Sequence, residues 1–286
     1  MEFIFYVLEM IAIWSIASLA ANLVVGYGGM FSVGHAAYLG IGAYIAFMLN
    51  IYLKLNYLLT IPLAMVGSAV VALITLLPLL RLEGYYFGVA TLGLNFVIVD
   101  LLHNLMPSTG YTDGLFGITV PGWFASPVGR LIFTLLVTGA VFAAVLSLTN
   151  SPWGRLIEAV RDDKRAVESL GKNPNMHKCV VWTISGGLCG LAGALNGLML
   201  MYIDPSLFTF VYSIYLLVYI GFGGLASVAG SVLGPLILLG FSELPRFIGL
   251  KSWVIGPLQQ ISYAILLIFM MMFRRRGMVG RYEFVE

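Results

Sequence analysis

The chain contains 286 residues, of which 60% are hydrophobic and 10% charged, and its mean hydropathy is +0.97. A soluble globular domain has about a quarter charged residues, so the composition argues against a soluble enzyme, a nucleic-acid-binding protein or a disordered chain. The net charge of +2 offers little attraction for a polyanionic partner. Cys179 and Cys189 would lie roughly 15 Å apart on one helix, too far for a disulfide.

The chain offers about eight segments long enough to cross a hydrocarbon core, which requires about 20 apolar residues per helix. They cover residues 3–25, 31–53, 57–80, 85–102, 131–148, 179–203, 255–273 and a glycine-interrupted stretch, 207–241. Helices satisfy their own backbone hydrogen bonds in lipid. The sequence therefore predicts an all-α, polytopic transmembrane bundle that forms one domain over residues 1–286. The first segment has no basic residue before Lys54, so we expect it to stay in the mature protein.

Basic residues are concentrated in two segments. Six of the 15 Lys and Arg lie within residues 151–178, and four more lie in the tail, residues 274–286. The positive-inside rule predicts that both segments are cytoplasmic. An even number of spans must then separate them, which holds if the stretch 207–241 enters the membrane and returns. The side of the N-terminus stays open, because the glycine-rich residues 26–34 could form either a re-entrant break or a turn.

An internal repeat is indicated by two glycine-rich segments at an offset of 195 residues. The segment 26–34 reads GYGGMFSVG and the segment 221–229 reads GFGGLASVA, with five identical positions. Paired interruptions of hydrophobic segments point to the central pathway of a transporter. The alternative is that these glycines only allow helices to approach closely. The sequence leaves open whether the repeat is parallel or inverted.

The cytoplasmic segment 151–178 has capping signals at both ends and the residue pattern of an amphipathic helix. Ser151 and Pro152 are suited to its N-terminus, and Gly171 is suited to its C-terminus. Asp162 or Asp163 could also cap a second short helix, so either one bent element or two are predicted. Apolar residues follow at helical spacing, namely Leu156, Val160, Val167 and Leu170. This apolar stripe either lies on the membrane surface or docks into a partner protein, and the mixed charges slightly favour a protein.

Two further groups of residues suggest roles inside the bundle. Glycines recur every three or four residues in the segment 179–203 and predict a helix-packing surface: Gly186, Gly190, Gly193 and Gly197. Polar residues within apolar segments are candidates for lining a pathway. The pathway candidates are Ser32, His35, Thr91, Asn95 and Ser227. For His35 we favour a structural role at the break, and a metal site is not expected because no second ligand lies nearby. Glu9 is close enough to the N-terminus to extend to the interface.

Three motifs in this sequence resemble the branched-chain amino acid permease family of ATP-binding cassette (ABC) importers, and the resemblance covers most of the chain. The first motif spans residues 26–44 and contains Ser32-Val-Gly-His35-Ala-Ala, which is similar to the M-type member of the usual permease pair. The second is Leu80-Arg-Leu-Glu-Gly-Tyr-Tyr-Phe87 with Thr91-Leu92. The third lies in the cytoplasmic segment and is followed by Gly223-Gly224 and Ser227. The matching positions in that segment are Gly154, Arg155, Ala159, Arg161, Asp162, Asp163, Ala166, Leu170 and Gly171.

The resemblance implies a transmembrane permease subunit of a prokaryotic inner-membrane importer. Such a subunit works by alternating access with two cytoplasmic ATPase subunits, a second homologous permease and an extracytoplasmic substrate-binding protein. The third motif would then form the coupling segment that contacts the ATPase. No phosphate-binding GxxxxGK[ST] loop occurs in the chain, so ATP and Mg²⁺ are expected on the partners, and no enzymatic activity or cofactor is expected here.

The substrate stays open at this point, since related permeases import branched-chain or other amino acids, urea or small amides. Two other classes of protein remain as alternatives. An ion-coupled secondary transporter usually carries several ionisable groups within the membrane, whereas here only Glu9 and Asp100 qualify. A passive channel for a small polar solute such as urea is the other alternative.

Overall fold

The computed structural model describes residues 2–82, 84–108, 114–247, 256–262, 264, 265, 268 and 277–280. The protein is an all-α bundle, as the sequence predicts. Its long helices are α1 (Glu2–Asn22), α2 (His35–Leu53), α3 (Tyr57–Leu79), α4 (Tyr85–Ser108), α5 (Pro127–Asn150), α8 (Pro174–Leu200), α9 (Phe210–Gly223) and α10 (Val228–Phe247). Two short helices, α6 (Pro152–Asp162) and α7 (Lys164–Ser169), lie between α5 and α8.

Within the described residues, seven helical segments are long and apolar enough to cross a membrane. The stretch 207–241 is interrupted at its glycines, as the sequence predicts, and contains two helices, α9 and α10, separated at residues 224–227. A π-helical turn, Leu23–Tyr27, extends α1 into the first glycine-rich segment. Of the predicted span at 255–273, the structure describes residues 256–262, 264, 265 and 268, which are helical; the rest lies outside the described residues.

Contacts between helices define two ends of the bundle. At one end, Gly26 after α1 lies beside Ala226 before α10 and beside Arg161 of α6. At the other end, the short strands β1 (Leu115–Phe116) and β2 (Tyr202–Ile203) pair antiparallel. The Asn50 side chain at the end of α2 donates a hydrogen bond to the carbonyl of Thr119 near these strands. Both glycine-rich segments and α6 therefore lie at one end, which we call the α6 end.

The glycines of α8 lie where this helix contacts α2 and α3. A Cβ on Gly193 would collide with the backbone of Leu39, and Gly42 of α2 lies directly against Gly190. A Cβ on Gly186 would collide with Ala72 of α3. The absence of side chains thus lets three helix backbones approach closely. Ser68 of α3 strengthens the contact by donating a 2.8 Å hydrogen bond to the carbonyl of Gly186.

Candidate functional site

Two helix breaks lie at the α6 end, and we define them by residues 26–34, which begin within the π-helical turn (first break), and by residues 224–227 (second break). Gly29 and Gly224 occupy equivalent positions in the repeat and both have positive φ, +65° and +120°. A serine follows each glycine by three residues, and its Oγ accepts a hydrogen bond near the start of the next helix. Ser32 accepts from Gly34 N at 3.2 Å, and Ser227 accepts from Gly230 N at 3.1 Å. The two breaks thus share a glycine with positive φ and a serine that accepts a backbone hydrogen bond, from the amide two residues on in the first break and three residues on in the second.

Asn22, the last residue of α1, lies against Gly26 of the first break and forms hydrogen bonds to the second. Its Oδ1 accepts a 3.1 Å hydrogen bond from Ala226 N, and its Nδ2 donates to the carbonyl of Ser227 at 3.0 Å and to Ser231 Oγ at 2.7 Å. The second break frees backbone groups that need partners in an apolar interior, and this buried amide supplies them. Asn22 is a polar residue within an apolar segment of the sequence, but its long-range pairing has no local signal.

The position of both breaks at one end fixes the relationship between the repeats. In each repeat one helix runs towards the α6 end, the chain breaks there, and the next helix runs away from it. The pair α1 and α2 therefore has the same direction as the pair α9 and α10. The repeat is parallel rather than inverted, which the sequence left open.

The segment 151–178 forms two helices with the predicted caps. Ser151 Oγ accepts a hydrogen bond from Gly154 N at 3.2 Å, and Pro152 begins α6. Asp163 ends α6 and caps α7, because its Oδ1 accepts from Arg165 N at 2.9 Å and from Ala166 N at 3.1 Å. Gly171 follows α7 with a φ of +72°. Of the two predicted arrangements, the structure therefore has two separate helices.

The apolar stripe of this segment packs largely against the bundle. Val160 and Val167 are buried within the chain, together with Ile157. Ile157 and Val160 line a narrow crevice with Met30 of the first break. Two of the four stripe residues therefore pack inside the chain and do not face a membrane surface or a partner, while for the other two the contact stays a prediction. Leu170, in contrast, is 76% exposed.

The predicted coupling residues divide between an inner and an outer face. Gly154 is buried, and a Cβ there would collide with the carbonyl of Thr149. Arg161 also turns inward. Its Nη1 donates a 2.9 Å hydrogen bond to the carbonyl of Gly26, and its side chain is only 9% exposed. A Cβ on Gly29 would lie 2.5 Å from Arg161 Cγ, so this close approach requires glycine. The other predicted residues are exposed: Arg155, Ala159, Asp162, Asp163, Leu170 and Gly171.

A cavity of about 1010 Å³ lies between the first break and the helices α6 and α7. Phe31 and Phe87 contribute apolar walls, whereas Asp162, Lys164 and Arg165 contribute charged ones. The cavity therefore brings the exposed face of the segment 151–178 next to the first break. Leu80, Leu82, Gly84 and Tyr85 of the second sequence motif form its remaining side, next to Phe87.

Four of the five pathway candidates lie at or near the first break. Thr91 Oγ1 accepts a 3.1 Å hydrogen bond from Val33 N and donates to the carbonyl of Gly88 at 2.8 Å. His35 is buried with its ring centroid 5.9 Å from that of Trp182. Asn95, one turn beyond Thr91, is 0% exposed, and neither its Oδ1 nor its Nδ2 has a hydrogen-bond partner in the described part of the chain. Ser32 belongs to the first break itself, and the fifth candidate, Ser227, lies in the second break.

Glu9 departs from its expected position at the interface. The side chain is 2% exposed, and its Oε2 lies 3.8 Å from Arg130 Nε on α5. Thr134, one turn along α5 from Arg130, is also buried, and its Oγ1 lacks a partner among the described residues. An ion pair between a buried carboxylate and a part-buried guanidinium thus joins α1 and α5 at the end opposite α6. The described residues contain no group of three or more His, Cys, Asp or Glu arranged to hold a metal ion.

A bundle of apolar spans, with paired breaks and a capped helical segment beside them, defines a multi-pass membrane transport subunit. The family model described as "Branched-chain amino acid transport system / permease component" matches residues 3–274, and the chain belongs to this family.

Similar proteins include the high-affinity branched-chain amino acid transport system permease protein LivM of Salmonella typhimurium. The two are 31% identical over 94% of this chain and 68% of that protein. LivM of Escherichia coli is also 31% identical, over 93% of this chain and 68% of its own length. Among solved structures, PsaBC from Streptococcus pneumoniae in complex with Fab matches with a TM-score of 0.52 and 13% identity. That match covers 92% of this chain and 88% of the other. It shows a similar fold.

Proposed function

We propose that this chain is the membrane-spanning permease subunit of an ATP-driven importer, which moves amino acids by alternating access. The family and the similarity to LivM support the class of transporter. The observation that carries the mechanism is the hydrogen bond from Arg161 to the carbonyl of Gly26. It joins the segment 151–178 directly to the first break. A force applied to α6 would therefore act on the chain between α1 and α2.

The partners follow from this role. Two cytoplasmic ATPase subunits would bind ATP and Mg²⁺, a second homologous permease would complete the membrane part, and an extracytoplasmic binding protein would deliver substrate. The exposed residues Arg155, Ala159, Asp162 and Leu170 offer a mixed polar and apolar face to an ATPase subunit. The charge distribution supports a cytoplasmic location of the segments 151–178 and 274–286 in a prokaryotic inner membrane.

The translocation path would pass the first break. Ser32, Thr91 and Asn95 place polar groups in an otherwise apolar interior, and the amide of Asn95 has both a donor and an acceptor to offer a solute. The cavity beside Phe31 lies at the α6 end, where a solute would leave towards the cytoplasm. A branched-chain amino acid fits this surface, because it combines a small polar backbone with an apolar side chain.

Copurification is the first test of this function. The tagged chain is extracted from its native membrane in mild detergent, and copurifying proteins are identified by mass spectrometry. We expect ATPase subunits with phosphate-binding loops and a second, similar permease. Recovery of the chain alone, or only with itself, would favour a secondary transporter or a passive channel instead.

Transport by the reconstituted complex is the second test. Proteoliposomes that contain the complex and its binding protein should take up radiolabelled leucine only with ATP inside. A panel of leucine, isoleucine, valine, alanine and urea then defines the substrate class. ATP-independent uptake that follows an ion gradient would contradict the proposal.

A further inference from the structure

Residues 277–280 of the C-terminal tail, called the tail below, contact the end of α9 and Gly224 of the second break through their backbone. Met278 N donates a 3.0 Å hydrogen bond to the carbonyl of Phe222, and Val279 N donates a 3.0 Å hydrogen bond to the carbonyl of Gly223. These two carbonyls belong to the last turn of α9, where helical carbonyls have no partner within the helix. The tail therefore caps α9 from more than 50 residues further along the chain.

The approach of the two backbones is close enough to require glycine on both sides. Gly224 has a φ of +120°, and a Cβ there would collide with the backbone of Gly280. Gly277 has a φ of +77°, is buried, and a Cβ there would lie 2.5 Å from Gly224 Cα. The contact is thus built by main-chain geometry on both segments.

Each break consequently receives hydrogen-bond donors from a separate segment at the α6 end. At the first break, local amides satisfy the carbonyls of Leu23 and Val24, and Arg161 satisfies that of Gly26. At the second break, the carbonyl of Ile220 has a local partner, Gly224 N, while residues 278 and 279 satisfy the carbonyls of Phe222 and Gly223. Asn22 of α1 accepts a hydrogen bond from Ala226 of the second break and lies against Gly26 of the first.

We propose that residues 277–280 form a positioning element that holds the second break, as Arg161 of α6 holds the first. In the proposed transport cycle, on which this inference partly rests, α9 and α10 can reorient only when the tail moves with them or releases the two carbonyls. The tail would then be a second connection, besides α6, through which movement of the cytoplasmic partners reorients the membrane helices.

The variants for the test separate the backbone donor from the side chain. Val279→Pro removes the N–H that bonds Gly223, because proline has no amide hydrogen. Val279→Ala keeps this donor and is the matched control. A truncation that removes residues 277–286 deletes the whole element, whereas a truncation that removes only residues 281–286 leaves the contacting residues in place.

Hydrogen exchange measures the contact without any partner protein. In the purified full bundle, we expect Val279→Pro and the longer truncation to accelerate exchange of the amides at 224–231 by at least tenfold. Exchange at Gly28 and Met30 of the first break should stay within twofold, as should all sites in both controls. Unchanged exchange at 224–231 in both test variants would overturn the proposal, whatever the protein transports.

The assembled complex then measures the consequence for coupling. We expect both test variants to keep their partners yet lose at least fivefold in substrate-stimulated ATP hydrolysis, while both controls match the wild type. Faster exchange combined with normal stimulation would show that the tail is only a cap of α9 and would overturn its positioning role. A wild-type chain without ATPase partners would contradict the proposed function, while the exchange experiment would still decide the contact.

Discussion

Arg161 Nη1 donates a hydrogen bond to the carbonyl oxygen of Gly26, at a distance of 2.9 Å, across 135 residues of sequence. The same guanidinium group forms an ion pair with Asp162, whose side chain is 60% exposed. Asp162 thus faces outward at the position where a partner would bind, while Arg161 faces the first break. Adjacent residues on α6 therefore connect an exposed surface to the interior of the bundle.

Replacing Arg161 with Ala should uncouple the complex without disassembling it. We expect a five- to twentyfold loss of substrate-stimulated ATP hydrolysis, because α6 loses its hydrogen bond to the first break. Arg161→Lys should recover only part of the activity, since an ammonium group lacks the planar fork that serves Gly26 and Asp162 together. The measurement is ATP hydrolysis by the purified complex with and without loaded binding protein.

The control for Arg161 is Lys172→Ala, which removes another basic side chain of the segment 151–178, one that is exposed and does not line the cavity. It should leave stimulated hydrolysis within twofold of the wild type. Normal stimulation in Arg161→Ala would count against a role for the hydrogen bond in coupling.

Asn22→Ala should destabilise the bundle. The change removes the partner of Ala226 N, which would remain buried without an acceptor, and it also removes donors to Ser227 and Ser231. A buried polar group without a partner costs about 1–3 kcal/mol, so the midpoint of thermal unfolding in detergent should fall by several degrees. Ser18→Ala is the matched control on the same helix, because Ser18 Oγ has no partner among the described residues. A similar loss in both variants would contradict the specific role of Asn22.

Local features of the fold could be predicted from the sequence. Ser151 and Gly171 mark the ends of the cytoplasmic segment because capping depends on a few neighbouring residues. The glycines at 29 and 224 mark the breaks because a positive φ favours glycine strongly. The apolar segments predict the spans because hydrophobic length alone decides them.

Contacts between distant segments could not be predicted in the same way. Exposed and inward-facing positions of α6 look alike in sequence, because Arg161 and Arg155 are both charged residues on a short amphipathic helix. Glu9 is typical of an interface residue until its partner, Arg130, is brought next to it by the packing of α1 on α5. The tail pairs with α9 through backbone groups, which every residue type except proline carries in full. Apart from the glycines at the close approach, the sequence therefore does not indicate this contact.

Replacing either Glu9 or Arg130 alone should lower the free energy of unfolding more than replacing both residues together. Glu9→Leu leaves a largely buried guanidinium without its carboxylate, and Arg130→Met leaves a buried carboxylate. Each single change should destabilise the bundle by about 3–5 kcal/mol, whereas the double change should lie close to the wild type. Thermal unfolding of the four proteins gives the coupling energy by a double-mutant cycle. Additive losses in the double variant would show that the two charges do not interact.

Asn95→Leu should make the protein more stable and less active. The fully buried amide has no hydrogen-bond partner in the described part of the chain, so an apolar group of similar size removes a cost of about 1–3 kcal/mol. If the amide serves the passing solute, uptake of radiolabelled leucine should fall at least tenfold. Thr91→Val should have the opposite effect on stability. It breaks the hydrogen bonds to Val33 and Gly88 and should therefore lower the unfolding midpoint. A destabilised Asn95→Leu protein with normal uptake would instead identify Asn95 as a structural residue.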